Sequence, residues 1–422
     1  MKKLIYLTGT IESPFFTNEI AEFSEVFDEV FVIVYDGNKM VCNELSEKYG
    51  FKYEFVYSNR ITIKDLFMYF RWRKQEYVVS EFKKHKGIAL STIKKKLYDS
   101  LYGIYLIKLH QVVDSYIQED DEIFVYSFWL SRSAFGAASF SANRMSNVCR
   151  IVSRTHRYDL YEEENDLGYL PFRKYISESL DTIYFSSRDT IQYFDNKHYF
   201  ENKKPTYKLA YLGTRPYKRK GIDVKKQYLT IGSCSYIIKR KRLDLIIEFI
   251  VMLKNTGLNV KWIHIGDGEL EKEIKALAVQ KLCKVSYCFT GRLSDEEIYK
   301  LYEREDVDLF VNLSDSEGVP VSIMEALSMG IPVITRDVGG NSDAVINEYN
   351  GYLIKESGLI LEEMKEVSFK VADVFKNKER YKRMSDAAYH IWREKFYGKR
   401  NAKLVALDIV ENNKINKFSE TS

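Results

Sequence analysis

Short apolar runs closed by polar, glycine-bearing turns recur along this chain, and they alternate with stretches of helical periodicity. In the first half, runs at 4–7, 30–35, 123–126, 151–153 and 180–187 read as buried strands. The turn Thr8-Gly9-Thr10 and a helix over 17–27 complete a βαβ start. The pattern breaks near 212–216, where a lysine-rich polar stretch runs on to Gln227. It then resumes with strands at 228–232, 260–265, 287–290, 307–313 and 331–335 and helices over 243–255, 269–279 and 295–304. Continuous apolar strands spaced by helices predict parallel sheets covered on both faces. The expected architecture is therefore α/β: two doubly wound domains, 1–215 and 216–392, followed by a helical segment over 393–422. Such sheets bind ligands beyond the carboxyl ends of their strands, and two of them facing each other would create a cleft.

Candidate chemistry concentrates between residues 314 and 351. The 307–313 run ends in Ser314-Asp315-Ser316-Glu317-Gly318-Val319-Pro320, which opens directly into a helix through Val321-Ser322. Pro320 suits a first helical turn, where its missing N–H costs nothing. Gly330 follows as a C-terminal cap, and Val338-Gly339-Gly340 forms a later turn. A helix N-terminus at the end of a parallel strand offers unpaired N–H groups and about half a positive charge, an attractive seat for phosphate or sugar hydroxyls. Glu317 and Glu325 bracket it. Residues eight apart on one helix diverge by about 80°. Glu317 is thus expected in the loop and Glu325 in the helix, each meeting a different part of one ligand.

The Glu-Gly-x-Pro turn, Glu325-Ala326-Leu327, Gly330-Ile331-Pro332-Val333 and the Gly-Gly turn, all in register, closely resemble the signature of the family 4 retaining glycosyltransferases of the GT-B fold. The resemblance implies that Glu317 sits at the transferred sugar and Glu325 at the ribose of a nucleoside-diphosphate sugar. Gly318, Val319, Val321 and Ser322 then belong to the donor-binding helix start. Lys241, three residues before Asp244, matches the lysine that neutralises the departing diphosphate. Where the family often has an arginine five residues earlier, this chain has Tyr236, so Lys239 or Arg240 compensates or one charge is missing. His156 matches a histidine that reaches the sugar from the first domain, with Asp159 orienting it or meeting the acceptor. Gly266, in Gly266-Asp267-Gly268, and Gly291-Arg292-Leu293 match the turns at the nucleotide, and Gly9 permits close backbone approach. Enzymes of this type need no bound divalent metal or other cofactor. Asp306-Val307-Asp308 leads into a strand rather than following one and reads as structural. Bacterial enzymes that build capsule, lipopolysaccharide or exopolysaccharide on a glycan or polyprenyl-linked acceptor are the implied company.

Composition narrows this little. The 422 residues suffice for two cores, and five cysteines without a C-x-x-C pair read as buried thiols. No apolar run reaches the length of a membrane-spanning helix, so a cytoplasmic location, at most against the inner face of the plasma membrane, is expected. Between 52 and 108, however, 13 Lys and Arg face 5 Asp and Glu, with aromatics interleaved at 66–74. A surface over 60–110 drawn to anionic lipid fits this, as does a pair of solvated helices; nucleic acid is not expected. A GT-B epimerase, a sugar phosphorylase or a non-catalytic sugar-nucleotide binder would share the fold. The paired glutamates favour the transferase.

Overall fold

Two parallel sheets organise the chain, each in a separate unit of the computed structural model, which describes residues 1–35, 37–56, 61–85, 90–142, 147–198, 200–219, 226, 228–355 and 359–411. One unit holds Met1–Leu212 and the chain from Gly398 onward, the other Gly213–Tyr397. The borders thus fall after Leu212 and Tyr397, against expected borders after 215 and 392. Lys86 of the basic segment, most of the linker up to Gln227 and residues 412–422 lie outside the described residues.

Among the described residues, the first sheet contains β1 (Lys2–Thr8), β2 (Glu29–Val34), β3 (Lys52–Phe55), β4 (Glu122–Ser127), β5 (Val148–Arg154), β6 (Thr182–Phe185) and β7 (Thr206–Leu209), in the order 3-2-1-4-5-6-7. Every pairing is parallel. Leu4 to Leu7 and Val32 to Val34 are wholly buried, as strands covered on both faces must be. The order reverses between β1 and β4, which fixes where a crevice opens. Helix Gly398–Glu411 closes this unit against helix Pro14–Val26. Its buried Asp408 takes hydrogen bonds from Lys208 Nζ (2.7 Å) and the Tyr184 hydroxyl (2.8 Å), with Arg150 3.6 Å away. A buried carboxylate needs such partners, and these lock the returning helix to the sheet.

The second sheet contains β8 (Tyr228–Cys234), β9 (Asn259–Ile265), β10 (Ser286–Phe289), β11 (Leu309–Asn312), β12 (Val333–Arg336) and β13 (Gly351–Ile354), in the order 10-9-8-11-12-13. Its switch point lies between β8 and β11. Helices Leu243–Asn255 and Asp295–Arg304 match the sequence expectation, the latter fixed by a capping box between Ser294 and Glu297. Asp306 and Asp308 share Lys226 (2.9 and 2.6 Å), and Asp308 also accepts from the Thr230 amide, so the acidic pair anchors the sheet.

Several expectations are corrected. β3, β7 and β13 escape the apolar-run criterion because they are short; β3 and β7 are also partly exposed edge strands. β12 starts at Val333 because Pro332 has no N–H to place in a ladder. Pro320 is the N-cap of helix Val321–Ser328, one position before the first turn. The C-terminal helical stretch is two helices, Lys378–Lys395 and Gly398–Glu411. Only Cys42 is buried, while Cys149, Cys283 and Cys288 are exposed. Cys288 lies on the open face of the edge strand β10, where alternate side chains point outward.

Candidate active site

In the second unit, the loops leaving β8 and β11 meet at the switch point. The β8 loop passes through Ser235 to Ile238 into a short 3₁₀ turn, Lys239–Lys241, and then reverses at Arg242 (φ +49°) into helix Leu243–Asn255. That reversal aims Lys241 back across the strand ends. Its Nζ lies 2.5 Å from Glu317 Oε1, on the loop leaving β11. Both side chains are largely buried, and Asn312 Nδ2 approaches the same oxygen at 3.5 Å. Glu317 is therefore in the loop and Glu325 in the helix, as the angular argument requires.

Main-chain contacts hold this geometry. The Asp315 amide donates to the Arg240 carbonyl (2.9 Å), and the Arg240 guanidinium donates to the Ser316 carbonyl (3.1 Å). Arg242 and Arg336 both pair with the Asp315 carboxylate. Behind the turn, the Gly340 amide donates to the Gly318 carbonyl at 3.1 Å. Gly339 has φ +53°, and a Cβ there would sit 1.9 Å from the Glu317 carbonyl oxygen, so the Gly-Gly turn is a backing plate only glycine can form. Gly318, Val319, Val321 and Ser322 line the partly open mouth, and the amides of Val321 and Ser322 have no acceptor within the helix.

Glu325 sits inside the helix, 5% exposed, with Cys234 and Asp295 near enough to act on it electrostatically. Burial first, then Asp295, pushes its carboxyl up to about 8, and Arg215 pulls against them. A buried acid with no ion-pair partner among the described residues is costly to keep unless something else uses it. A vicinal diol, donating two hydroxyls, would satisfy it. Arg215 was passed over in the sequence because Gly213-Thr214-Arg215-Pro216 reads as linker.

The neighbouring turns come together here as well. The Ile237 amide donates to the Asp267 carbonyl (2.8 Å) and the Gly266 amide to the Gly291 carbonyl (2.9 Å). A Cβ on Gly266 would lie 2.0 Å from the Ser235 carbonyl oxygen. Arg292 donates to the Tyr236 hydroxyl (3.0 Å) and lies over its ring, 5.1 Å from the centroid. A guanidinium thus stands beside Tyr236, with the Asp267 carboxylate 3.7 Å from it. Leu293 follows it, partly exposed.

In the first unit, His156 caps helix Arg157–Leu160 just beyond β5. Its ring packs on Phe128 and Trp129 (centroids 4.5 and 4.3 Å), and burial, aided by Arg154, pushes its pKa down to about 3. The imidazole is neutral at physiological pH. Nε2 lies 2.9 Å from the Phe128 carbonyl, which can only accept, so Nε2 carries the proton, and the ring and the Asp159 carboxylate form a capping box at this helix start. The Asp159 carboxylate takes the amides of Leu130 (2.6 Å) and His156 (2.7 Å), fixing the backbone that carries the ring. Gly9 lies at the end of β1, where a Cβ would meet the Tyr35 hydroxyl at 2.6 Å.

Both units are Rossmann-like, and the fold is GT-B. Residues 214–391, nearly the whole second unit, match the family described as Glycosyl transferases group 1. Among solved structures, the lipopolysaccharide outer core galactosyltransferase WaaB in its apo form shares the fold at TM-score 0.66 and 13% identity, over 97% of this chain and 99% of that one. Anabaena Alr3699/HepE in complex with UDP does so at TM-score 0.65 and 14% identity, over 97% and 100%. Among curated proteins, the amylovoran biosynthesis glycosyltransferase AmsK of Erwinia amylovora is 29% identical over 138 residues, covering 32% of this chain and 34% of AmsK. The O-antigen biosynthesis glycosyltransferase WclY of Escherichia coli is 27% identical over 212 residues, covering 45% and 54%. The matched region thus spans between a third and about half of these relatives' length.

Proposed function

We propose that this protein is a retaining, metal-independent glycosyltransferase that moves a sugar from a nucleoside-diphosphate donor to a hydroxyl of a glycan or polyprenyl-linked glycan, in the synthesis of a bacterial surface polysaccharide. The observation that carries the reading is the Lys241–Glu317 pair at the switch point of the second sheet, with buried Glu325 beyond it. In this reading Glu325 holds the ribose diol, and the start of helix Val321–Ser328 seats the diphosphate. Gly291-Arg292-Leu293 meets the base.

Glu317 accepts hydroxyls of the transferred sugar. As the C1–oxygen bond to the diphosphate breaks, charge grows on the leaving phosphate, and Lys241 stabilises it more in the transition state than before. The acceptor oxygen bonds C1 from the same face, and its proton passes to the departing phosphate oxygen. Lys241 and the helix N-terminus supply positive charge where a divalent metal would otherwise be needed. The first unit is assigned to the acceptor. Proton NMR of the product in EDTA tests this. The anomeric coupling of the donor is expected to persist in the product at an undiminished rate; inversion, or loss of turnover with EDTA, would refute retention or metal independence respectively.

Contact with the inner face of the plasma membrane belongs to the same reading. Among the described residues no helix is long and apolar enough to cross a membrane. Helix Ile63–Trp72 nevertheless exposes Ile63, Leu66, Phe67 and Phe70 at i, i+3, i+4 and i+7, and helix Leu90–Val113 exposes Leu90, Ile93, Leu97 and Leu101. The two helices are joined by the Tyr69–Ser100 hydrogen bond (2.7 Å), and Lys64, Arg71 and Lys94 to Lys96 accompany the apolar stripes. Apolar stripes with basic company fit an anionic bilayer. The protein is expected to sediment with phosphatidylglycerol vesicles but not phosphatidylcholine ones, and Phe67→Ser with Phe70→Ser to abolish this. Equal recovery without vesicles, or self-association through this face, would contradict it.

A further inference from the structure

A pocket of about 220 Å³ opens in the first unit at the switch point between β1 and β4. Aromatic rings dominate its wall: Tyr35, Tyr98, Tyr102, Trp129 and Tyr158, with Arg132 among them. This is below the ~300–1,000 Å³ typical of drug-sized ligands and suits a single sugar ring. The faces of a pyranose are apolar C–H surfaces and its rim is hydroxyl; tyrosine and tryptophan rings offer an apolar face and a polar edge to match.

Arg132 brings positive charge to the pocket wall. Its guanidinium lies 5.4 Å from the Tyr35 ring centroid and 5.7 Å from that of Tyr102. Its Nε is buried without a hydrogen-bond partner, and no carboxylate among the described residues forms an ion pair with it. It also opens helix Arg132–Ala142, whose N-terminal field adds to its own charge. The carboxylate at the pocket wall, Asp159, is already held by the Leu130 and His156 amides, and Arg173 nearby offsets its charge. A half-buried guanidinium whose Nε has no hydrogen-bond partner is costly to maintain, and its fork fits a phosphate or carboxylate bidentately.

We propose that this pocket is a subsite for a negatively charged sugar unit of the acceptor, the aromatic rings holding the pyranose and Arg132 reading its phosphate or carboxylate. Calling the ligand an acceptor rests on the glycosyltransferase reading; the binding itself does not. N-acetylglucosamine 1-phosphate, glucuronic acid and methyl glucoside are titrated against the full chain while tryptophan fluorescence is followed, since Trp129 lines the pocket. At least one anionic sugar is expected to bind tenfold or more tighter than methyl glucoside. Arg132→Gln should erase that preference while leaving any nucleotide-induced thermal shift unchanged, and Arg132→Lys should keep part of it. A stronger response to phosphate assigns the anion to a lipid-linked phosphate end, a stronger response to carboxylate to an acidic sugar residue. Equal binding of all three, binding of none, or a preference surviving in Arg132→Gln overturns the proposal. Anionic sugars binding while no nucleotide does would leave the pocket standing and remove the transferase reading.

Discussion

Replacing Glu325 by glutamine is expected to make the protein more stable and a poorer nucleotide binder. The carboxyl is displaced from its ordinary value of 4.5 to about 8, chiefly by burial. Between those values the folded chain keeps a proton that the unfolded chain has released. Stability from this group therefore falls as pH rises from 4.5 towards 8 and is level beyond. Glutamine removes that slope. Because the amide is itself buried and polar, the net gain at pH 8 is of the order of 1–3 kcal/mol. Chemical denaturation at pH 5 and pH 8 checks it: the two proteins converge at the lower pH and separate at the higher. Ligand binding moves the other way. A carboxylate accepting two hydroxyls is worth about 1.5–3 kcal/mol, so affinity should drop roughly 10- to 100-fold. In the wild type, affinity should rise with pH towards 8, because the diol binds the ionised form.

Lys241→Ala is expected to lower kcat of sugar transfer by about 10²–10³, the cost of removing one group that stabilises charge developing in the transition state. KM should change far less. A variant with raised KM and unchanged kcat would show that Lys241 only binds the ground state. Arginine should not restore the rate in full, since a compact ammonium 2.5 Å from Glu317 has no room to become a planar fork. Initial rates over a donor series separate the two parameters.

The cluster in the second unit was legible in the sequence because its chemistry is local. Glu317, the first turn of helix Val321–Ser328 and Glu325 form one uninterrupted stretch, and helical geometry alone separated the two glutamates. Lys241 was legible from its place at a strand-to-helix turn; its salt bridge to a loop 76 residues later was not. Arg292 beside Tyr236 illustrates the limit, because a contact between two separate turns is not written in either one. The aromatic pocket was invisible for the same reason: Tyr35, Tyr98, Arg132 and Tyr158 come from four separate elements. The exposed stripes of helices Ile63–Trp72 and Leu90–Val113 were half legible. Composition announced base and aromatics, but only packing decides which apolar residues stay outside, and here Phe67 is 73% exposed while Trp72, five residues on, is buried.

In the proposed reading the second unit holds a nucleoside diphosphate between Lys241, Glu317 and Glu325. It is tested most directly by thermal unfolding of the wild type and Glu325→Gln with UDP, GDP, ADP and dTDP, in the presence of EDTA. At 100 times its dissociation constant a ligand adds about 2.7 kcal/mol of stability. One of the four nucleotides should raise the wild-type transition by several degrees without metal, with a clearly smaller shift in Glu325→Gln. A shift of equal size in both proteins would remove Glu325 from the site, and no shift with any nucleotide would contradict the account.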